Sequence, residues 1–269
     1  MLEVKRVRTF RLFIYVCNHT KYSILLTVYL AALLMYYQIK NNIDFDKLSI
    51  FDFLSDLNGI MGLTNKNVMV FILIPFICLT ILLIMKREET YNRIIKLPSR
   101  TSVWNKTVII SLVYTFILTF ILVLGGYLIG GLIFGYENKW IGTNGQITVL
   151  LNNNKIPNPE QYLNKLSTFN VLTIIFLTKF LCLSIIALST AIIKTIIKNS
   201  SLTLLCICIY SYIDAMYLNP SLFINKSILD VNNWLNLRNV LINNVYFIIL
   251  LFALYFIGRE LYSKKDFKN

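Results

Sequence analysis

The chain is poor in the residues that do chemistry in water. It has one histidine, His19, in 269 residues. One imidazole leaves no histidine pair for a metal or a proton relay. Acids number 13 against 26 Lys and Arg. No acid–base pair, metal cluster or phosphate-binding glycine loop stands out. No G-x-x-x-x-G-K-[ST] run is present, so this chain has no P-loop with which to hydrolyse ATP. The five cysteines, Cys17, Cys78, Cys182, Cys206 and Cys208, show neither a disulfide framework nor zinc spacing. All but Cys17 fall in apolar stretches and read as small packing residues. Long polar segments are missing too. The widest gaps between apolar runs are a few tens of residues, which excludes an added soluble domain. The first apolar run follows a basic head and has no small-residue cleavage site, so no cleaved signal peptide is expected.

Apolar residues are abundant instead. They make up 57% of the chain, against about 45–50% in soluble domains. Six stretches concentrate them: Tyr22–Ile39, Val68–Met85, Val108–Leu124, Val171–Ile193, Leu202–Leu218 and Val240–Ile257. At about 1.5 Å rise per residue each matches a hydrocarbon core of about 30 Å. Lipid tolerates only closed backbone hydrogen bonding, so the stretches must be helices. The expected fold is all-α: one polytopic membrane domain over 1–269, with six transmembrane helices.

Charge placement orients it. Seventeen Lys and Arg lie in the head, in the loops after the second and fourth stretches, and in the tail. Eight lie in the alternate loops. The positive-inside rule then puts both termini in the cytoplasm, which an even number of spans also requires. The +13 net charge thus reads as membrane topology, with no nucleic acid implied.

The connecting segments differ in character. Residues 1–20 set Val4, Val7, Phe10, Phe13 and Ile14 against Lys5, Arg6, Arg8 and Arg11, the pattern of an amphipathic helix in the membrane interface. The first outer loop carries an acidic amphipathic segment, with Phe51, Phe53 and Leu54 beside Asp52 and Asp56, and should form a short helix. The longest outer loop, 136–168, is rich in turn formers and should be irregular. The last, 219–239, keeps Leu222, Phe223, Ile224, Leu229 and Trp234 and is apolar enough to dip into the bilayer edge.

Two features inside the spans invite a role. Gly126/Gly130 and Gly131/Gly135 are small-xxx-small pairs that would let another helix approach closely. The third helix either continues to about Gly135 or breaks at Gly125. Lys179 lies about ten residues into the fourth stretch, where a charge costs about 2.5–3.5 kcal/mol. It lines a translocation path, pairs with an acid such as Asp214, snorkels outward, or caps a helix that begins near Thr178.

Glu88-Glu89-Thr90-Tyr91-Asn92-Arg93 resembles the first motif of intramembrane CAAX-type proteases, but those enzymes also need histidines in the membrane. The longer run Arg87–Lys106, REETYNRIIKLPSRTSVWNK, resembles the cytoplasmic link of ABC-2-type transporter permeases. There an acid follows the second helix, a short helix leads to a Leu-Pro-x-Arg turn, and a Lys opens the third helix. Here these are Glu88 or Glu89, Leu97-Pro98-Ser99-Arg100 and Lys106. The tight turn at Lys198-Asn199-Ser200, the Lys264-Lys265-Asp266 tail and the amphipathic head are similar as well.

The resemblance implies a bacterial cell-membrane permease that is not itself an enzyme. It implies a soluble ABC ATPase partner, carrying ATP and Mg, that docks on the 86–106 link through Glu88, Glu89, Arg93, Leu97, Pro98 and Arg100. It implies a second permease subunit, identical or not. A small chain of this type would export, or give immunity to, a peptide such as a bacteriocin. A non-transporting membrane scaffold or immunity protein is the alternative class.

Overall fold

The computed structural model describes residues 15–16, 18, 20–30, 32–33, 49–55, 65–90, 99–140, 166–230, 233–234 and 236–265. Every regular element among them is a helix. We number them α1 (20–30), α2 (Ile50–Leu54), α3 (Lys66–Glu88), α4 (Arg100–Phe134), α5 (Thr168–Ile197), α6 (Ser200–Met216) and α7 (Leu237–Lys264). Four of these, α3, α4, α5 and α7, are long and apolar enough to cross a membrane. This is a membrane-embedded helical protein. The fifth stretch forms α6, which has 17 residues. The first is helical over 20–30, and its end at 34–39 lies outside the described residues, as do head residues 1–14.

Polar side chains set the helix starts. Asn65 opens α3 by accepting the Val68 N–H at 2.8 Å. Ser99 does so for α4 from Ser102 (3.2 Å), and Asn199 for α6 from Ser201 and Leu202 (2.9 and 3.2 Å). These bonds satisfy amide donors that have no partner inside the helix. Lys198, at φ 61°, makes the left-handed turn between α5 and α6, at the position read from sequence as a tight turn.

α4 is longer than its apolar run. Its 35 residues span about 52 Å, well beyond the about 30 Å of hydrocarbon. It takes in residues 100–106 of the expected link and runs unbroken through Gly125 to Phe134. The link is thereby shortened to the residues between Glu88 and Arg100. Gly135, at φ 83°, ends the helix, in a backbone region that only glycine enters without strain.

α5 is the centre of the bundle and packs against α3, α4, α6 and α7. Its small residues allow this. Ser184 bonds Thr115 of α4 at 2.9 Å, and Thr190 meets the Cys78 thiol of α3 at 3.2 Å. Such short interhelical bonds replace the hydrophobic drive that lipid removes. α7 is the most peripheral span, with only 11% of its apolar window buried inside the protein.

Candidate functional site

The end of the bundle that carries the basic loops is tied together by two consecutive acids. Glu88 and Glu89 stand at the C-terminus of α3, where the helix dipole opposes negative charge. Cations and phenols meet them there. Glu88, 1% exposed, pairs with Lys106 of α4 at 2.5 Å and accepts a bond from the Tyr15 hydroxyl at 2.8 Å. Glu89 accepts from the Tyr262 hydroxyl and from Lys265, both at 2.6 Å. The head segment, α3, α4 and the end of α7 thus converge on one dipeptide. Sequence reasoning put both acids on a docking surface. The structure turns Glu88 inward and leaves Arg100 exposed. Arg93, Leu97 and Pro98 lie outside the described residues.

Beside this node is a contact that sequence reasoning missed. Gly258 of α7 lies against the face of Trp104, and a Cβ built on it would be 2.1 Å from the indole ring. Trp104 is fully buried, donates its N–H to the Tyr255 carbonyl at 3.0 Å, and packs on Tyr262 with ring centroids 5.1 Å apart. The glycines singled out from sequence behave differently. Gly126 and Gly130 are buried. Gly131 makes room for Tyr136, just past the end of its own helix, 2.0 Å from a hypothetical Cβ, and Gly135 has open space around it. The second small-xxx-small pair is therefore a helix-end device in this fold, because the chain folds Tyr136 back to bond the Leu128 carbonyl (3.2 Å).

Deep in the bundle, a second polar station surrounds Lys179. α5 begins at Thr168, so Lys179 does not cap it, and at 2% exposure its amine is enclosed by protein rather than snorkelling. The amine donates to the Met69 sulfur at 3.4 Å, and the Ser227 hydroxyl approaches the same sulfur at 3.6 Å. Met69 opens a π-helical turn, Met69–Leu73, in α3. Such turns are frequent at functional positions. One helical turn along α5, the Cys182 thiol points at the Phe223 carbonyl at 4.0 Å.

The lid over this station is the segment after α6, and Asp214 fastens it. The buried carboxylate accepts from the Ser221 hydroxyl (3.0 Å) and from the backbone N–H groups of Leu222 (2.6 Å), Phe223 (3.2 Å) and Ile224 (2.7 Å). Four donors around one acid fold the loop inward and bury Phe223, Ile224 and Ser227. Sequence reasoning sent this apolar loop toward the bilayer edge; the structure buries Phe223 and Ile224 against the protein itself. Only the tertiary structure shows that Asp214 holds it.

At the same end, α2 closes the bundle. Ser49 and Asp52 form a capping box. Asp52 accepts from the Ser49 N–H at 2.7 Å and from the Trp140 indole at 2.9 Å. The ring cluster Phe51–Trp140–Trp234, with centroids 5.4 and 5.3 Å apart and the two indoles edge to face, packs beside it. The expected short helix is present, but its acid faces inward. Burial pushes the Asp52 carboxyl up to about 7, against the pull of its two N–H donors and Lys139. The folded chain therefore holds this proton more tightly than the unfolded chain, whose value is 3.8. Stability from Asp52 should be greatest below 3.8, fall as pH rises toward about 7, and stay level above it. Thermal unfolding followed across that range should show the slope, and Asp52→Asn should flatten it. An equal slope in the variant would place the titration elsewhere.

No protein-family model, curated protein or solved structure matches the chain. The likeness to ABC-2 permeases rests on sequence features only: the link, the Lys198-Asn199-Ser200 turn, the tail and the amphipathic head.

Proposed function

We propose that the chain is the membrane-spanning permease subunit of an ATP-driven ABC exporter in a bacterial cell membrane. In this reading six helices span, both termini are cytoplasmic, and ATP with Mg binds a separate soluble ATPase. A second permease subunit completes the path, and the cargo is a peptide.

The observation that supports it most is the Glu88-Glu89 node. A short link, from Thr90 to Ser99, joins α3 to α4 in sequence. Both of its roots are locked by ion pairs to other helices, through Lys106 and Lys265. A partner that moved the link would pull on α3, α4 and α7 together. The chain has no nucleotide motif, so a bundle built this way needs such a partner to do work. Lys179 is the buried charge that would meet cargo, once the lid fastened by Asp214 opens.

Charge reversal of the link tests the docking surface while keeping Glu88 and Glu89 themselves. Arg93→Glu with Arg100→Glu should reduce the co-purified ATPase by about tenfold or more, since interface charge pairs contribute about 1.5–7 kcal/mol. Membrane insertion should be unchanged. Full recovery of the ATPase would remove the link from the docking surface.

A further inference from the structure

The flank of α7 carries an apolar groove. It lies between α4, α5 and α7 and is about 360 Å³ in volume. Val108 and Leu112 of α4, Phe180 and Leu188 of α5, and Phe252 and Tyr255 of α7 line it. No polar surface faces it. A polar rung closes its end toward the basic loops, where the Tyr255 hydroxyl donates to Asn105 Oδ1 at 2.9 Å. Residues four apart on a helix share a face. Arg259 therefore projects on the groove's side of α7, one turn beyond Tyr255, and it is exposed. The adjacent acid, Glu260, is paired with Lys264 at 2.8 Å and so is held by a different cation.

We propose that this groove holds an acyl chain of an anionic phospholipid, with the Arg259 guanidinium on its phosphate. The sequence of surfaces is that of the lipid itself: apolar along the chain, hydrogen-bonding at the glycerol level, cationic at the headgroup. A planar guanidinium matches phosphate oxygens in pairs. Basic pockets between spanning helices at the positive face of a membrane protein suit such headgroups. The Trp104–Gly258 contact fixes α4 against α7 beside the groove, so bound lipid would brace that α4–α7 seam. The inference needs only that the protein is membrane-embedded. It stands or falls independently of transport or an ATPase.

The test uses the full chain purified in a neutral detergent. Phosphatidylglycerol should raise its unfolding temperature, and phosphatidylcholine should do so less. A photoreactive group on the acyl chain should label the α7 stretch that includes Phe252 and Tyr255. In Arg259→Gln the preference for phosphatidylglycerol should drop about fivefold, in line with about 1 kcal/mol per basic residue at a membrane surface. The acyl-chain label should persist in that variant, which shows that it is still folded. Equal effects of the two lipids, or an undiminished preference in Arg259→Gln, would overturn the proposal. So would cross-linking of Phe252→Cys to a second copy of the chain, which would make the groove a protein interface.

Discussion

Asp214→Ala should release the lid over Lys179 and cost more stability than any other single change in the bundle. The carboxylate satisfies one hydroxyl and three backbone N–H groups. A buried donor left without an acceptor costs about 1–3 kcal/mol. Four of them, even partly rehydrated, make a loss of about 4 kcal/mol or more. Asp214→Asn keeps the size but offers a single acceptor oxygen and adds two donors, so it should recover little. The readout is Cys182, which is buried beneath Phe223. In a chain whose other cysteines are replaced by alanine, Cys182 should react with a maleimide much faster in the Asp214 variants. Unchanged labelling would mean that the lid has another fastening.

Gly258→Ala should loosen the basic end of the same bundle. The added methyl would enter the face of Trp104, a buried ring fixed by its bond to Tyr255 and by packing on Tyr262. Overpacking of this kind costs about 1–3 kcal/mol. The upper end is expected here, because the ring is fully buried. Tyr262 also carries one of the bonds to Glu89, so the disturbance should reach the node. Thermal unfolding in detergent should fall for Gly258→Ala and recover in part when Trp104→Phe is added. That non-additivity is the signature of a direct contact. A Gly258→Ala variant as stable as the parent would show that α4 and α7 are free to shift apart.

Four of the six expected spans were legible because their signal is length and apolarity, which act locally. Val68–Met85 and Val171–Ile193 fall inside α3 and α5 for that reason. Helix ends were less legible. α4 begins at Arg100, eight residues before its apolar run, because the Ser99 cap and helix-compatible polar residues extend it. The roles of individual residues depended on partners far along the chain. Gly258 carries no pattern of its own, and its partner Trp104 is on another helix. Glu88 reads as a surface acid at a helix end until Lys106 and Tyr15 close on it. Asp52 reads as the polar side of an amphipathic turn, yet it is buried and bonded to the Trp140 indole. Lys179 was visible as an anomaly because a charge in an apolar run is costly anywhere. Its setting against Met69 and Ser227 is tertiary and could not be read from periodicity.

The central claim is that this bundle is worked by a separate ATPase. The most direct measurement is ATP hydrolysis in the complex isolated through a tag on this chain from its native membrane. The account predicts a stoichiometric P-loop protein in that complex. Its hydrolysis should depend on Mg and fall when Arg93 and Arg100 are reversed in charge. A chain that purifies from native membranes with no nucleotide-hydrolysing partner, while its bundle remains folded, would contradict the account.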